Sequence, residues 1–438
     1  MYEQNTWWKD SRLIEQDYDI LRWKEQSYTW IPGILQNITL KPFALHIISG
    51  PRQAGKTTAV KLLIKTLLEQ ERNPKSIFYF NCENIADYKE LETVLRTYIE
   101  MKETQHISEA IIVLDEITLP KEWFRTIKFL IDTGVFKNDV VILTGSSSIV
   151  IKRQVELFPG RRGHGKDFVL HPLSFRGFLK VFEPSLVEKI PIIATLSDIE
   201  KKAEMMAVYQ KELDRHLARY MEYGGFPIAV TNIDKEKEEA KRTYLSWIKN
   251  AVLKAERSDI LARQVLKIIV ECVQTDVSWE GISKKIEIKS PKTVSAYVEL
   301  FTSLFVTNVL YNLDISTKKI RFGKNKKIHF RDPLLLEIFE DWCLVKTNNK
   351  QSAIAEAIVI EHLTRRFPEQ VYFWKDRYEV DAVVLEKDKL YGFEVKWSEH
   401  AESKRPNNFT NYTIITKKEY SKHPSKIPLS LFLSMFDV

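Results

Sequence analysis

Cysteine is scarce: Cys82, Cys272 and Cys343 are the three in 438 residues, odd in number and far apart. With no CxxC and no histidine at ligand spacing, a disulfide framework and a structural zinc site are excluded, and buried thiols are expected. Long apolar runs are missing as well. No stretch of about 18 apolar residues occurs, so no membrane span and no membrane partner are expected. The start, MYEQNTWWKD, is polar and aromatic rather than a charged region followed by an apolar one, so no signal peptide is expected and the location expected is cytoplasmic. Neither sign of charge dominates: a net +7 is compatible with nucleic acid as a partner without requiring it. What is present is length and 44% hydrophobic content, enough for about three domains with real cores.

The most informative stretch is 44–68, ALHIISGPRQAGKTTAVKLLIKTLL. Gly50-Pro51-Arg52-Gln53-Ala54-Gly55-Lys56-Thr57 matches GxxxxGK[ST], between an apolar strand-like run and an amphipathic helix, and Thr58 extends it. Backbone N–H groups at a helix N-terminus enclose phosphate, and the peptide dipoles favour the negative charge. Gly50 and Gly55 let the backbone curl in, Lys56 is expected to reach the β- and γ-phosphates, and the Thr57 hydroxyl to sit on Mg²⁺. A nucleotide site is therefore expected, with ATP or GTP left open. Before it, residues 1–43 carry Trp7, Trp8, Trp23 and Trp30, expected to dock a lead-in segment onto the core.

Strand and helix then alternate: a strand at 76–81, a helix at 88–101, and a continuous apolar run at 110–114 that ends in Asp115-Glu116. Carboxylates at the C-terminal end of a parallel strand face the crevice where ligands bind. Asp115 is thus expected to hold Mg²⁺ and Glu116 to act as base for an attacking water. After the strand 140–143, Thr144 or Ser146 is the candidate to bond the γ-phosphate or orient the water, and a helix-capping role is compatible with that. A short helix through Leu157 leads to the turn carrying Arg161 and Arg162.

This order of strand, phosphate loop, acid pair, polar strand end and arginine turn resembles the AAA+ ATPases. It is most similar to the archaeal and bacterial group in which a lid, a winged helix and a nuclease-like domain follow the ATPase core. The resemblance implies an α/β fold with a P-loop parallel-sheet core and ATP and Mg²⁺ as cofactors. It makes Arg161 and Arg162 an arginine finger acting on a neighbouring subunit, hence a homo-oligomer from dimer to hexamer. The turn Tyr223-Gly-Gly-Phe-Pro227 resembles the lid turn that carries a second sensor arginine, but Ile228 and Ala229 follow the proline here. The boundaries expected are a lead-in at 1–43, the core at 44–171, a helical lid at 172–256, a winged helix at 257–345 and a final α/β domain at 350–438.

Within 257–345, three helical stretches precede a strand at 306–311 and a basic hairpin at 318–327. Seven lysines or arginines and no acid lie between Ile315 and Arg331, either a solvated face or a wing that meets DNA phosphates. In the last domain a helix at 352–366 bears Glu356, and strands carry Asp381 and then Glu394-Val-Lys396. Residues two apart on a strand share a face, so Glu394 and Lys396 project together. The pattern resembles the PD-(D/E)xK nucleases, although proline does not precede Asp381. It implies Mg²⁺ on Glu356, Asp381 and Glu394, with Lys396 assisting water or neutralising phosphate. Three functions stay open: an ATPase coupled to DNA cleavage, an ATP-driven switch or adaptor that binds without cleaving, and a signalling ATPase with no nucleic-acid role.

Overall fold

Short apolar runs with no polar alternation need cover on both faces, and in the first part of the chain they pair into one parallel sheet. The computed structural model describes residues 1–146, 158, 160–231, 233, 237–286, 288, 290–398 and 408–438. It divides into two units, Met1–His171 and Pro172–Val438. In the first, helix α1 (Tyr18–Lys24) belongs to the lead-in, and β1 (Ala44–Ser49), β2 (Ile77–Asn81), β3 (Ile111–Asp115), β4 (Val140–Gly145) and β5 (Asp167–Val169) form the sheet. Their order is β2-β3-β4-β1-β5, every pair parallel. Between them run α2 (Lys56–Glu69), α3 (Tyr88–Thr104) and α4 (Phe124–Asp132). Every residue of β1 and β3 is buried. The C-terminal ends of β1, β3 and β4 lie side by side, which fixes where a ligand crevice can form.

The lead-in covers the β2 edge. Asn5 donates to Tyr79 O (2.8 Å) and accepts from Tyr79 N (2.7 Å), while Gln4 accepts from Asn81 N (2.7 Å). The indole N–H groups of Trp7 and Trp8 donate to Ile77 O, and Trp8 stacks on Phe78 and Tyr98. Polar groups of an edge strand that would otherwise be open to another chain are thereby satisfied. Trp23 and Trp30 are only half-buried, joined by a Trp23 Nε1 to Trp30 O hydrogen bond.

The second unit begins with helices, including Gln210–Tyr223 and Lys237–Lys254, the first preceded by a 3-10 turn at Ala207–Tyr209. The expected helix through Leu157 lies outside the described residues. Helices Asp259–Glu271, Trp279–Lys285 and Pro291–Ser303 then precede an antiparallel ribbon of β6 (Thr307–Tyr311) and β9 (Lys326–Phe330). Between these strands β7 (Leu313–Asp314) pairs with β8 (Lys319–Ile320), and Val277 bridges to Lys326. Helices Pro333–Cys343 and Lys350–Arg366 lead into a second sheet of β10 (Val371–Lys375), β11 (Glu379–Glu386), β12 (Lys389–Lys396), β13 (Asn411–Thr416) and β14 (Lys426–Pro428), in that order. The first three strands are antiparallel neighbours and the last three parallel.

Buried polar contacts tie these pieces across long stretches of sequence. Glu361 accepts from Asn308 (2.5 Å), Arg331 (2.9 Å) and Arg365 (2.8 Å). Asp332 accepts from the amides of Gly225 (2.8 Å) and Leu334 (2.9 Å), and burial pushes its carboxyl up to about 6. The Gly224-Gly225 turn is thus docked on Asp332. A Cβ on Gly224, whose φ is +74°, would lie 1.9 Å from Asp332 Oδ1. Among the described residues no helix is long and apolar enough to cross a membrane. Cys82 and Cys343 are buried as expected, whereas Cys272 is partly exposed because it caps the end of a surface helix.

Candidate functional site

The loop 50–55 joins β1 to α2, and no side chain caps the N-terminus of that helix. Its first amides are left to whatever enters the crevice. Gly55 has φ +88°, a left-handed conformation that glycine alone adopts freely. Gly50 is required for another reason: a Cβ there would meet Leu170 O at 2.3 Å, since the chain leaving β5 passes against the loop. Pro51 and Ala54 are buried, Arg52, Thr57 and Thr58 half-buried, and Gln53 is exposed. The buried Lys56 ammonium donates to Gly50 O (3.1 Å) and Pro51 O (3.0 Å) and lies 3.9 Å from Glu116. Burial draws its pKa down, and Glu116 and Asp115 oppose that shift.

Asp115, the last residue of β3, is fully buried. A buried carboxylate needs donors, and three hydroxyls supply them. Thr57 Oγ1 (2.7 Å) and Tyr79 OH (3.0 Å) donate to one oxygen, and Thr144 Oγ1 to the other. Thr144 Oγ1 in turn accepts from the amide of Glu116 (3.0 Å), so its own proton is directed at Asp115. Glu116 adopts φ +51°, a sparsely populated conformation for a residue with a side chain. Ser146 Oγ lies 2.6 and 2.8 Å from its two carboxylate oxygens. The structure therefore brings Thr57, Asp115, Glu116, Thr144 and Ser146 into one hydrogen-bonded group, with the Lys56 ammonium 3.9 Å from Glu116. Open amides, a buried ammonium and a hydroxyl–carboxylate pair fit a nucleotide phosphate with a divalent metal.

In the second unit, Glu356 lies on the helix Lys350–Arg366, Asp381 on β11, and Glu394 and Lys396 on β12. Lys396 Nζ bonds Glu394 Oε1 (2.6 Å), and Tyr412 OH donates to Glu394 Oε2. Asp381 Oδ2 accepts from Val395 N (2.9 Å). Glu356 and Asp381 meet a different cation, Lys327 Nζ, at 3.0 and 2.8 Å, and Glu379 joins them at 2.5 Å. Glu356, Asp381 and Glu394 all act electrostatically on Lys396, but their ligand atoms do not all lie within 4.8 Å of one another. Among the described residues Glu238, Glu337 and Asp341 are the one group of three whose ligand atoms already lie within 4.8 Å of one another, and Lys241 bonds all three, whereas Glu356, Glu379 and Asp381 are spread wider around Lys327.

Three family descriptions match the chain: "AAA domain" (AAA_14) over residues 43–179, and two domains of unknown function, DUF8612 over 214–342 and DUF4143 over 351–429. The first of these spans β1 to β5, the loop and the acid pair. Residues 43–179 are similar to the AAA domain. No curated protein matches the chain. Among solved structures, the ORC2 protein of Aeropyrum pernix in its ADPNP–ADP complexes is 13% identical, covering 69% of this chain and 88% of its own, with a TM-score of 0.37. Cdc6p of Pyrobaculum aerophilum is 11% identical, with 77% and 94% covered and a TM-score of 0.26. A Thermotoga maritima RuvB variant is 13% identical, with 63% and 83% covered and a TM-score of 0.26.

Within the first unit the two arginines of the turn bond acids of their own chain. Arg161 grips Asp132 through Nε (2.5 Å) and Nη2 (3.2 Å), and Arg162 bonds Asp167 (2.6 Å) and Leu45 O (3.3 Å). Nothing in the sequence singles out Tyr79, one of several aromatics in a strand, or the Lys61 beneath it. Lys61 Nζ sits 3.7 Å from the centre of the Tyr79 ring and 2.8 Å from Asp17, linking the lead-in to the partner of Asp115. Nor does the sequence single out Glu379, Lys327 or His329. The basic hairpin was read as exposed through Lys327, but β9 starts at Lys326, and both lysines are buried because the strand is covered on both faces.

Proposed function

We propose that the chain is a Mg²⁺-dependent AAA+ ATPase that hydrolyses ATP, whose residues 257–345 act as a winged helix on DNA and whose residues 350–438 form a nuclease-like domain. One observation carries the ATPase reading: the line of hydrogen bonds from Thr57 through Asp115 to Thr144 and the amide of Glu116. Residues 50–58 would enclose the phosphates, and Lys56 would turn from the loop carbonyls to the β- and γ-phosphates. Thr57 and Asp115 would hold Mg²⁺, which when bound neutralises charge on the phosphate oxygens. Glu116, steadied by Ser146, would accept the proton of the attacking water. Action of Arg161 or Arg162 on a neighbouring copy, in a dimer or larger ring, would require release from Asp132 or Asp167.

The DNA reading is supported by the exposed hairpin tip, where Lys318, Lys319, Arg321 and Lys324 surround Phe322, itself 64% exposed. The second reading, a switch or adaptor that binds without cleaving, is favoured by the ion pairs of Lys327 with Glu356, Glu379 and Asp381. One set of assays tests both parts. Lys56→Ala is expected to abolish ATP turnover while leaving DNA binding in place. The pair Lys319→Glu and Lys324→Glu is expected to weaken duplex binding and flatten its salt dependence by about one unit of slope per lost phosphate contact, turnover being unchanged. Undiminished turnover in the first variant removes the ATPase reading, and an unaltered salt slope in the second removes the wing.

Tyr79 gives a finer expectation. Its hydroxyl orients Asp115, so Tyr79→Phe is expected to raise the Mg²⁺ concentration for half-maximal turnover about 10-fold, the scale of a lost outer-shell partner. Nucleotide binding without Mg²⁺ should not change. A magnesium titration of turnover, beside a nucleotide titration in chelator, measures both.

A further inference from the structure

Lys327 sits inside β9, opposite Leu310 of β6, with its side chain fully buried. An ammonium out of water needs several anionic acceptors around it. Three carboxyl groups are present, Asp381 Oδ1 at 2.8 Å, Glu356 Oε1 at 3.0 Å and Glu379 Oε1 at 2.5 Å, and burial together with the Asp381 charge raises the Glu356 pKa against the pull of Lys327. Glu379 and Asp381 are two apart on β11 and share a face, and Glu356 comes from the helix Lys350–Arg366. His329, two residues along β9 and 1% exposed, adds a second and independent sign of a ligand position. Both its ring nitrogens are buried without a hydrogen-bond partner, and Nε2 points at Glu356 Oε1 from 3.7 Å. Glu379 is the most open member, its side chain 30% exposed and also bonded to Lys375, and it marks the way in from solvent.

We propose that Glu356, Glu379 and Asp381 form a cation cage whose ligand is the chain's own Lys327 ammonium, and that a divalent cation enters it, with His329 as a further ligand, only when that ammonium is removed. Residues 350–438 then hold their acids neutralised from within and bind without cleaving. That last consequence alone rests on the nuclease-like reading; the cage does not.

The test uses the full chain carrying Lys56→Ala, free of nucleotide, with Mn²⁺ as probe followed by electron paramagnetic resonance. Lys327→Met is expected to gain one Mn²⁺ per chain, bound at least about 10-fold more tightly than by the Lys327 protein, and to lose it again with Asp381→Asn. Lys327→Met strands buried carboxylates, so stability provides a second arm. Adding Glu356→Gln to Lys327→Met is expected to raise its melting temperature, whereas Glu356→Gln in the Lys327 protein should lower it or leave it unchanged. Mn²⁺ bound by the Lys327 protein and lost with Asp381→Asn would overturn the cage. So would a folded Lys327→Met that gains no ion, or a Glu356→Gln effect of the same sign and size in both backgrounds. Metal-dependent DNA cleavage by the Lys327 protein that disappears with Asp381→Asn would overturn it while upholding the nuclease reading. Absence of cleavage together with a gained ion would uphold the cage and set that activity aside.

Discussion

Glu116→Gln is expected to lower ATP turnover by about 10²- to 10⁴-fold, the usual worth of a positioned general base, while nucleotide stays bound. The separation follows from the geometry. Phosphate binding would fall to the loop amides, Lys56 and Thr57, none of which needs the Glu116 charge, whereas proton acceptance needs a carboxylate where Ser146 holds one. Glutamine keeps the length and one acceptor for Ser146, so the strained backbone at 116 should survive. Single-turnover hydrolysis beside a nucleotide-binding titration reads both quantities. A turnover within a few-fold of the parent would mean that another group takes the proton, and weakened binding would mean that Glu116 supports the phosphates through Lys56.

The second large effect is on stability. Glu361→Ala is expected to cost about 3–5 kcal/mol, as when one partner is removed from a buried ion pair. Glu361 is 2% exposed and receives Arg331, Arg365 and Asn308, so its loss leaves two guanidinium groups in the interior without their anion. Denaturant unfolding of the second unit measures it, with an unchanged dependence on denaturant concentration expected. A loss below about 1 kcal/mol would put this carboxylate among ordinary surface pairs, contrary to its burial.

The first unit was legible because its signals are local. A glycine-bearing loop between an apolar run and an amphipathic helix, and an acid pair ending another such run, are read within a dozen residues. The second unit was less legible because its determinants are distant from one another. The turn at 224–225 is fixed by Asp332, and Arg331 by Glu361, neither of which any window of sequence joins. Lysine misled for a related reason. A run of lysines in a hairpin points to solvent on residue type alone, but Lys326 is inside against the Trp279 ring, and Lys327 among acids supplied by elements 29 to 54 residues further on. Lys61 is the same case on a helix, drawn in by Asp17 of the lead-in.

The ribbon has a bearing on where this chain can be cut. Severed at the polar stretch 346–351, the C-terminal piece would keep Glu356, Glu361, Glu379 and Asp381 but surrender Lys327 and Arg331 to the other fragment. Such a piece, excised for shuffling or separate expression, would inherit a knot of mutually repelling acids, so the heritable module is the ribbon and the final sheet together.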